Sequence, residues 1–581
     1  MRVRTRCNHI ITEVLLWGER QNHGFGSAQY CCCRSALSLG AAGAETEIMR
    51  PRRKKRTPRN KQRPGTDGNK VEPFEVSVFI GEAGQQPTPD NKIYKKIKDE
   101  LGASFNFEFL AGDINQKLGV MIAGSDYPDM MTGNTKLTAA GAYIPLEDLI
   151  EEHAPNLKKH YEDYWNMMKD PNDGHIYILP NYGVFNGKLN SSWYSGPAFW
   201  IQKAVLEEFG YPKVKTLDEY FDLIGKYKEK YPTIDGSPTI GFEILNYDWR
   251  NWGLFNAPQH LIGHPNDGGV VVKDGVAEVF ANKDYAKQYY QKLNEMNAQG
   301  LIDKETFVQN YDQYLAKLSS GTVLGMFDQH WNFQNAENSL ITQGKDERTY
   351  VGLPLVYDEN TKDHYRDRAP LNLNNGFGIS VNAKDPVKIL KMLDALITED
   401  WQKVLSWGIE GEDYIVNEEG RFMKTQEQRD AFTDGTWKLA NKADAFFGFA
   451  PKIEGSFSDG NATDAAAQPE EYKAGLKEYD KKFLEAYGFD SYVDFFSEPP
   501  ENEVAYPAWT IDLVEGSEAK VVNTKLNDLS TKFLPKAILA KPADFESAWS
   551  EYTAEIGKIN IKAYEDRINE QIQWRITNWS K

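Results

Sequence analysis

The sequence predicts an α/β protein with more than one lobe. The chain has 581 residues, which exceeds what a single hydrophobic core usually organises. From Phe74 onward, segments with the two-residue period of strands alternate with segments of helical period. This alternating order is typical of a largely parallel sheet covered by helices.

Residues 74–133 carry the clearest part of this pattern. In "FEVSVFI" the apolar residues alternate, as they do in a half-buried strand. "NKIYKKIKDELG" spaces its apolar residues four apart and ends at a glycine, as a helix does. The segments that follow predict a strand, a helix and a short strand: "SFNFEFL", "DINQKLGVMIAG" and "YPDMMTG". The region therefore predicts a β-α-β-α-β unit.

The middle of the chain predicts further helices and one clear strand. Residues 198–231 read as two helices separated by Gly210 and Pro212. The second of these helices begins with "TLDE", a capping box in which Thr216 and Glu219 satisfy each other's backbone N–H groups. "YLAKLSSGTVLGMFDQHW" then predicts a helix, a glycine turn and a strand.

The last third of the chain predicts a strand and several helices. "NGFGISVNA" has the pattern of a strand, and one helix is predicted from Pro386 through "LITEDWQKVLSWG". Residues 405–423, "LSWGIEGEDYIVNEEGRFM", predict a glycine turn and a hairpin after that helix. A long helical pattern over residues 545–576 closes the chain, so we expect extra C-terminal helices.

The charge is divided unevenly along the chain. Residues 1–70 have a balance of +10, whereas the rest of the chain has a balance of −28. A body this acidic repels phosphate backbones, so we expect no nucleic-acid partner. All four cysteines lie within residues 1–70, and the body therefore has no disulfide, zinc–thiolate site or cysteine nucleophile.

Residues 1–70 are open to three interpretations. The basic run "RPRRKKRTPRNKQR" resembles a nuclear-localisation or nucleic-acid-binding segment, but it is equally typical of a solvated tail. A third hypothesis is a mis-started or frame-shifted leader, because no signal peptide is legible. We expect this region to lack ordered structure.

Motifs of enzymatic chemistry are missing. The sequence has no HExxH, no GxSxG, no P-loop and no complete dinucleotide-binding turn. The acidic turns at residues 170–174 and 358–363 do not place Gly and Glu where a calcium loop needs them. We therefore expect no catalytic residue, no cofactor and no metal site. A carboxylate pair for glycoside hydrolysis stays open, because an acidic chain offers many such pairs.

The chain is rich in aromatic residues, with 14 Trp, 30 Tyr and 29 Phe. Several lie beside polar residues in turn-like places, and aromatic faces match the apolar C–H faces of sugar rings. The candidate stacking residues are Trp249, Trp252 and Trp331, followed by Trp193 and Tyr182. The candidate polar residues are Arg250, His330 and Asp328.

Arg250 has two interpretations. A guanidinium between two tryptophans suits the carboxylate of an acidic sugar such as a uronate. It can equally be a surface residue or form an internal salt bridge, and the sequence does not decide between these roles.

Six segments in fixed order resemble the extracellular solute-binding proteins of bacterial ABC importers, in the lipoprotein branch for oligosaccharide uptake in Gram-positive bacteria. The resemblance spans about residues 71–580, and "WGIEGEDYIVNEEGRFM" is its most specific part. The other segments are "GSDYPDMMTG", "DGHIYILP", "FWIQKAVLEEFGYPKVKTLDEYFDLI", "LNEMNAQGLIDKETF" and "GTVLGMF".

The resemblance implies a two-lobed periplasmic-binding-protein fold whose lobes close like a flytrap on ligand in the cleft between them. By this analogy the chain crosses between lobes near Tyr182 and near Leu371. The first α/β lobe would comprise residues 71–182 and 372–440, and the second residues 183–371 and 441–581. Gly408, Gly411 and Tyr414 would then be structural.

The resemblance also implies a function. An extracellular protein of this kind captures an oligosaccharide, without catalysis, and delivers it to the permease subunits of an ABC importer; we expect a monomer. The alternatives are a secreted glycan-active hydrolase or lyase, and a ligand-binding input to a membrane sensor.

Two features depart from the family. Relatives are cell-surface lipoproteins, yet no lipid-attachment motif is legible here. Many relatives also have a calcium loop after the "TLDE" helix, where this chain reads "KYPTIDGSPTIGF" and offers too few ligands.

Overall fold

The computed structural model describes residues 72–186, 192, 194–366, 371–373, 375–499 and 508–579. The expectation for residues 1–70 therefore lies outside the described residues. Residues 70–581 form one compact unit. Within the described part, no helix combines the length and the apolar character required to cross a membrane.

Sixteen strands are described, most of them short. In chain order they are β1 Phe74–Ile80, β2 Ala103–Phe109, β3 Met130–Thr132, β4 Phe185–Asn186, β5 Pro197–Gln202, β6 Thr233–Ile234, β7 Ser237–Pro238, β8 Ile240–Glu243, β9 Val270–Lys273, β10 Val276–Val279, β11 Val323–Gln329, β12 Tyr350–Leu353, β13 Phe377–Ile379, β14 Ile415–Val416, β15 Phe422–Met423 and β16 Glu454–Gly455.

Twenty-two α-helices are described. They are α1 Lys92–Leu101, α2 Ile114–Gly124, α3 Thr135–Ala139, α4 Glu147–His153, α5 Pro155–His160, α6 Lys203–Glu208, α7 Leu217–Lys230, α8 Trp252–Phe255, α9 Ala257–Leu261, α10 Asp284–Ala298, α11 Tyr311–Ser320, α12 His330–Thr342, α13 Pro386–Leu396, α14 Glu399–Ser406, α15 Gln426–Thr433, α16 Gly435–Asn441, α17 Asp444–Phe447, α18 Pro469–Gly475, α19 Glu478–Tyr487, α20 Glu518–Leu539, α21 Phe545–Ile556 and α22 Ile561–Asn578.

The first sheet has the strand order β13-β3-β1-β2. Strands β1, β2 and β3 are parallel to one another, and β13 runs antiparallel to β3. Helix α1 connects β1 to β2; Asn91 caps its first turn, and Gly102 ends it with φ 78°. The predicted β-α-β-α-β unit is confirmed. Its parallel strands end at the edge where β13 begins.

The second sheet has the order β12-β5-β11-β8. Strand β11 is parallel to β8 and antiparallel to β5. The prediction of a helix from residue 198 is wrong here, because residues 197–202 form β5 and helix α6 starts only at Lys203. All but the first residue of β5 are buried, so both faces of this strand are covered.

Each sheet has its own hydrophobic core. The first core contains residues such as Val78, Ile97 and Phe377, and the second contains residues such as Phe199, Tyr220 and Phe327. The expected C-terminal helices are present: α20, α21 and α22 bury residues such as Phe533, Tyr552 and Ile568 in the second core. Because each sheet has its own core, the chain forms two α/β lobes.

Two of the chain segments between the cores meet beside the first sheet. The backbone N–H of Asn372 donates to the carbonyl of Tyr182 at 3.2 Å, and the Asn372 side chain donates to that of Asn181 at 3.2 Å. Asn181 also donates to the carbonyl of Gly448 at 2.8 Å. We propose that the chain crosses between the lobes near these residues.

A third crossing concerns the boundary expected at residue 440. Ala443, Phe446 and Ala450 follow the predicted boundary at residue 440, yet they pack within the first core. Tyr472 and Leu476 are the next residues that pack against the second core. We therefore propose that the chain returns to the second lobe near residues 472–476.

The stretch 405–423 contains the predicted turn and hairpin. Its preceding helix is split into α13 and α14, which differs from the single helix predicted. Trp407 is fully buried and donates from its indole N–H to the carbonyl of Ala462 at 2.9 Å. Gly408 has φ 95°, and a Cβ at this position would overlap the carboxylate of Asp413. The stretch therefore packs as a small satellite core.

Gly408→Ala is predicted to destabilise the protein by about 1–3 kcal/mol, because alanine must adopt a left-handed backbone and displace Asp413. Urea unfolding measures the change. Gly435→Ala is the control, since a Cβ there meets nothing within 4 Å. A Gly408→Ala protein as stable as the control would contradict this structural role.

Candidate functional site

The carboxyl ends of two neighbouring strands create the candidate site. Strands β8 and β11 are parallel, with Phe242 opposite Gly325, so the loops that follow them leave the sheet at one edge. Strand β5 runs antiparallel and therefore begins at this same edge. The segment that arrives from the first core enters β5 here. The edge thus combines two loops with a crossing segment, the usual position of ligands in open α/β proteins.

Three tryptophans meet at this edge, and we call them the tryptophan platform. The rings of Trp249 and Trp331 are almost parallel, with centroids 6.0 Å apart and an interplanar angle of 6°. Trp252 lies 5.9 Å from Trp331 at 42°. Trp249 is 60% exposed and Trp331 46% exposed. Two exposed, parallel aromatic rings form an apolar surface of the kind that marks an interaction site.

The orientation of Trp331 is fixed by its neighbours. It is the second residue of α12, directly after the carboxyl end of β11. Its indole N–H donates to the side-chain oxygen of Gln329 at 2.7 Å. This hydrogen bond fixes the orientation of the indole ring and satisfies its one polar group, the N–H.

Arg250 lies within an aromatic cage. Its guanidinium is 4.5 Å from the ring centroid of Trp249 and 4.1 Å from that of Tyr311. One guanidinium nitrogen donates to Asp248 at 2.5 Å. Arg250 thus forms a salt bridge, and its role toward an acidic sugar stays a prediction.

Asp328 and His330 lie beneath the platform, with exposures of 1% and 2%. Asp328 accepts hydrogen bonds from the Tyr314 hydroxyl at 2.5 Å and from the Asn332 amide. Burial raises the pKa of Asp328 to about 7 despite these donors. His330 pairs with the buried Glu337 at 2.6 Å. The side chains of Asp328 and His330, both predicted to contact ligand, therefore face the interior, where they hold the start of α12 in place.

Two further predicted residues are Tyr182 and Trp193. Tyr182 is half-buried at the crossing segments, and no ring contact joins it to the three tryptophans among the described residues. Burial and the nearby Glu454 raise its pKa. Trp193 lies outside the described residues.

Tyr311 and Asp248 were missed by the sequence analysis. Tyr311 is the first residue of α11, behind an Asn310 cap, and only the tertiary fold brings it beneath Arg250. Asp248 adopts φ 46°, an uncommon conformation outside glycine that favours Asn and Asp. In the sequence, the one indication of this salt bridge is that Asp248 stands two residues before Arg250.

A buried carboxyl supports the loop that leads to Tyr311. Glu243, at the end of β8, accepts from the Thr306 hydroxyl at 2.7 Å and from the Gln309 amide at 2.5 Å. Burial, with Asp303 nearby, raises the pKa of Glu243 to about 8. Glu243 therefore favours its protonated form in the folded protein.

Among the described residues, no group of three or more His, Cys, Asp or Glu side chains is placed to hold a metal ion. In the segment that follows the capping-box helix α7, Asp235 forms an ion pair with Lys345 at 2.8 Å. Asp235 is the only carboxylate of "KYPTIDGSPTIGF". These residues do not fit a calcium loop, which takes most of its oxygens from several acidic side chains.

Comparison with known proteins identifies the family. A family model described as bacterial extracellular solute-binding protein matches residues 92–406. The fructooligosaccharide ABC transporter substrate-binding protein FusA of Streptococcus pneumoniae is 28% identical over 241 residues, covering 39% of this chain and 45% of FusA. The aligned part of the chain thus spans about half the length of that curated relative.

Solved structures share the fold. FusA in complex with kestose has a TM-score of 0.62 at 18% identity, covering 87% of this chain and 100% of that one. A human-milk-oligosaccharide (HMO) binding, ABC-transporter-associated solute-binding protein from Bifidobacterium longum infantis has a TM-score of 0.63 at 16% identity, covering 87% and 99%. The two-lobed fold is thereby confirmed.

Glu243→Gln is predicted to flatten the dependence of stability on pH. A carboxyl whose pKa is raised by folding stabilises the protein fully below its unfolded pKa near 4.5, and this contribution is lost as pH rises through about 8. Between pH 5 and pH 8.5, the free energy of unfolding should therefore fall more for the wild type than for the variant.

Urea unfolding at both pH values provides the measurement, and Glu229→Gln on the exposed face of α7 is the control. If the free energy of unfolding changed equally with pH in the wild type and in Glu243→Gln, the raised pKa of Glu243 would be contradicted.

Proposed function

Because the chain belongs to the bacterial extracellular solute-binding proteins, we propose that it captures an oligosaccharide outside the cell and delivers it to the permease of an ABC importer. The observation that carries this proposal is the exposed, parallel pair Trp249 and Trp331 at the sheet edge where the lobes are linked. The relative FusA, a fructooligosaccharide-binding protein by name, suggests the class of ligand to test first.

The platform suits a sugar for two physical reasons. Its rings offer flat apolar area for the C–H face of a pyranose or furanose, and burial of that area favours binding. Two lobes joined by crossing segments can close and remove the sugar from water, which strengthens each hydrogen bond to its hydroxyls.

We propose that the ligand is neutral. The salt bridge with Asp248 offsets the charge of Arg250, and the acidic body disfavours an anion. A uronic-acid-containing oligosaccharide is the second candidate, because its carboxylate could replace Asp248 on the Arg250 guanidinium.

The remaining elements of the proposal come from the family. The protein acts as a monomer on the cell surface, anchored as a lipoprotein, and catalyses no reaction. A secreted hydrolase or lyase and a sensor input are the competing functions. Adjacent permease genes favour import, whereas an adjacent histidine kinase gene favours sensing.

A thermal-shift screen of the full chain tests the function. The panel contains kestose, nystose, maltotriose and trigalacturonate. A sugar that binds only the folded state raises the melting temperature by mass action, so at least one neutral member is expected to do so and to remain intact after long incubation. Breakdown into smaller products would establish an enzyme instead.

Trp331→Ala is predicted to weaken binding of the panel sugar with the largest shift at least tenfold, because the platform loses one of its two exposed faces. Isothermal titration calorimetry measures the affinity. Trp509→Ala is a matched control, since Trp509 is also 46% exposed but packs against Gly268. Unchanged affinity in Trp331→Ala would remove the platform from the site.

A further inference from the structure

Tyr311 contacts both of the segments that carry the tryptophan platform. Its ring centroid lies 4.1 Å from the guanidinium of Arg250, which itself lies 4.5 Å from the ring centroid of Trp249. Its hydroxyl donates to the carbonyl of Asn332 at 2.5 Å, and Asn332 directly follows Trp331 in α12. The ring of Tyr311 therefore supports one half of the platform, and its hydroxyl holds the helix turn that carries the other half.

The position of Tyr311 is fixed by the fold. A capping box starts α11: the backbone N–H of Gln313 donates to the Asn310 side chain, and the backbone N–H of Asn310 donates to the Gln313 side chain, both at 2.9 Å. Tyr314 lies one turn later on the same face of α11, and its hydroxyl donates to Asp328 at 2.5 Å. Two hydroxyls on one helix face thus join α11 to the junction between β11 and α12.

Arg250 connects the turn that carries Trp249 with α11. Two of its polar contacts stay within the turn: its backbone N–H donates to the carbonyl of Tyr247 at 3.0 Å, and its guanidinium pairs with Asp248. Contacts between residues this close in sequence shape a turn but do not place it on the rest of the fold. The stacking of the guanidinium on the ring of Tyr311 supplies such a placement, because Tyr311 belongs to a different element.

The platform needs this support because its rings are exposed. Trp249 and Trp331 lie almost parallel, with centroids 6.0 Å apart, yet solvent reaches a large part of each ring. Rings that are packed on one side only are free to change orientation unless their backbone segments are held. A surface that already has its binding geometry loses less entropy when a ligand is ordered on it.

We propose that Tyr311 is a positioning residue for oligosaccharide binding. It holds Trp249 through Arg250, and it holds Trp331 through Asn332, in the parallel arrangement on which a sugar ring stacks. The proposal rests on the proposed function, since it concerns the same platform. Tyr311 acts through these neighbours and makes no contact with the sugar, so its removal changes the order of the rings while their exposed area is kept.

Two substitutions separate the ring of Tyr311 from its hydroxyl. Tyr311→Leu removes both contacts and is expected to weaken binding of the panel sugar with the largest melting-temperature shift about tenfold, because the platform must be ordered on binding. Tyr311→Phe keeps the ring against Arg250 and removes one hydrogen bond, so a loss of about two- to fivefold is expected. Isothermal titration calorimetry measures both affinities.

A ¹⁹F NMR spectrum of the sugar-free full chain, labelled with 5-fluorotryptophan, reports the order of the platform directly. Trp249→Phe and Trp331→Phe assign the two signals. In Tyr311→Leu both signals are expected to broaden or split, whereas in Tyr311→Phe only the Trp331 signal should do so. The remaining tryptophan signals should keep their shape, because a loss of general stability would not select these two rings.

Tyr487 provides matched controls. It is half-buried like Tyr311, and its hydroxyl also donates to a backbone carbonyl, that of Pro212 in the loop after α6, at 3.1 Å. Tyr487→Leu and Tyr487→Phe should therefore bind the sugar as wild type does and leave the signals of Trp249 and Trp331 unchanged.

Tyr311→Leu decides the test if it folds, and Tyr311→Phe decides it otherwise. Wild-type affinity in the deciding variant, or wild-type signals of the platform rings, would overturn the positioning role. The proposed function would still stand in that case if Trp331→Ala weakens binding. Absence of binding by the wild type to every sugar of the panel would overturn both.

Discussion

The parallel pairing of β8 with β11, beside the antiparallel β5, is the constraint on which the site depends. It brings the segments that carry Trp249 and Trp331 to one edge of the sheet, although these residues are far apart in sequence. The antiparallel direction of β5 brings the crossing segment to that edge as well. A different strand order would leave the tryptophans on separate surfaces.

The polar groups beneath the platform convert this topology into a rigid surface. Asp328 connects α11 to α12 through Tyr314 and Asn332, and Glu243 holds the loop before Tyr311. Such buried groups are costly unless their partners are in place, so they specify one arrangement of the loops. The platform is therefore built into the fold before any ligand arrives.

Local patterns in the sequence predicted most of the fold but not all of it. The alternation in β1 and the capping box at Thr216 and Glu219 are confirmed, because each depends on residues close in sequence. Strand β5 was predicted as a helix, since a strand buried on both faces has a continuous apolar run without alternation. The aromatic composition and the polar neighbours led to the three tryptophans of the platform. The sequence did not reveal that Asp328 and His330 are buried or that aromatic rings surround Arg250, because these features depend on tertiary neighbours.

The proposed function requires an oligosaccharide to bind on the tryptophan platform between the two lobes. A crystal structure of the full chain grown with nystose, or with whichever panel sugar binds, tests it most directly. We expect a sugar ring stacked on Trp249 or Trp331, with residues of both lobes in contact with the chain of rings. A sugar bound elsewhere, with the platform still exposed to solvent, would contradict it.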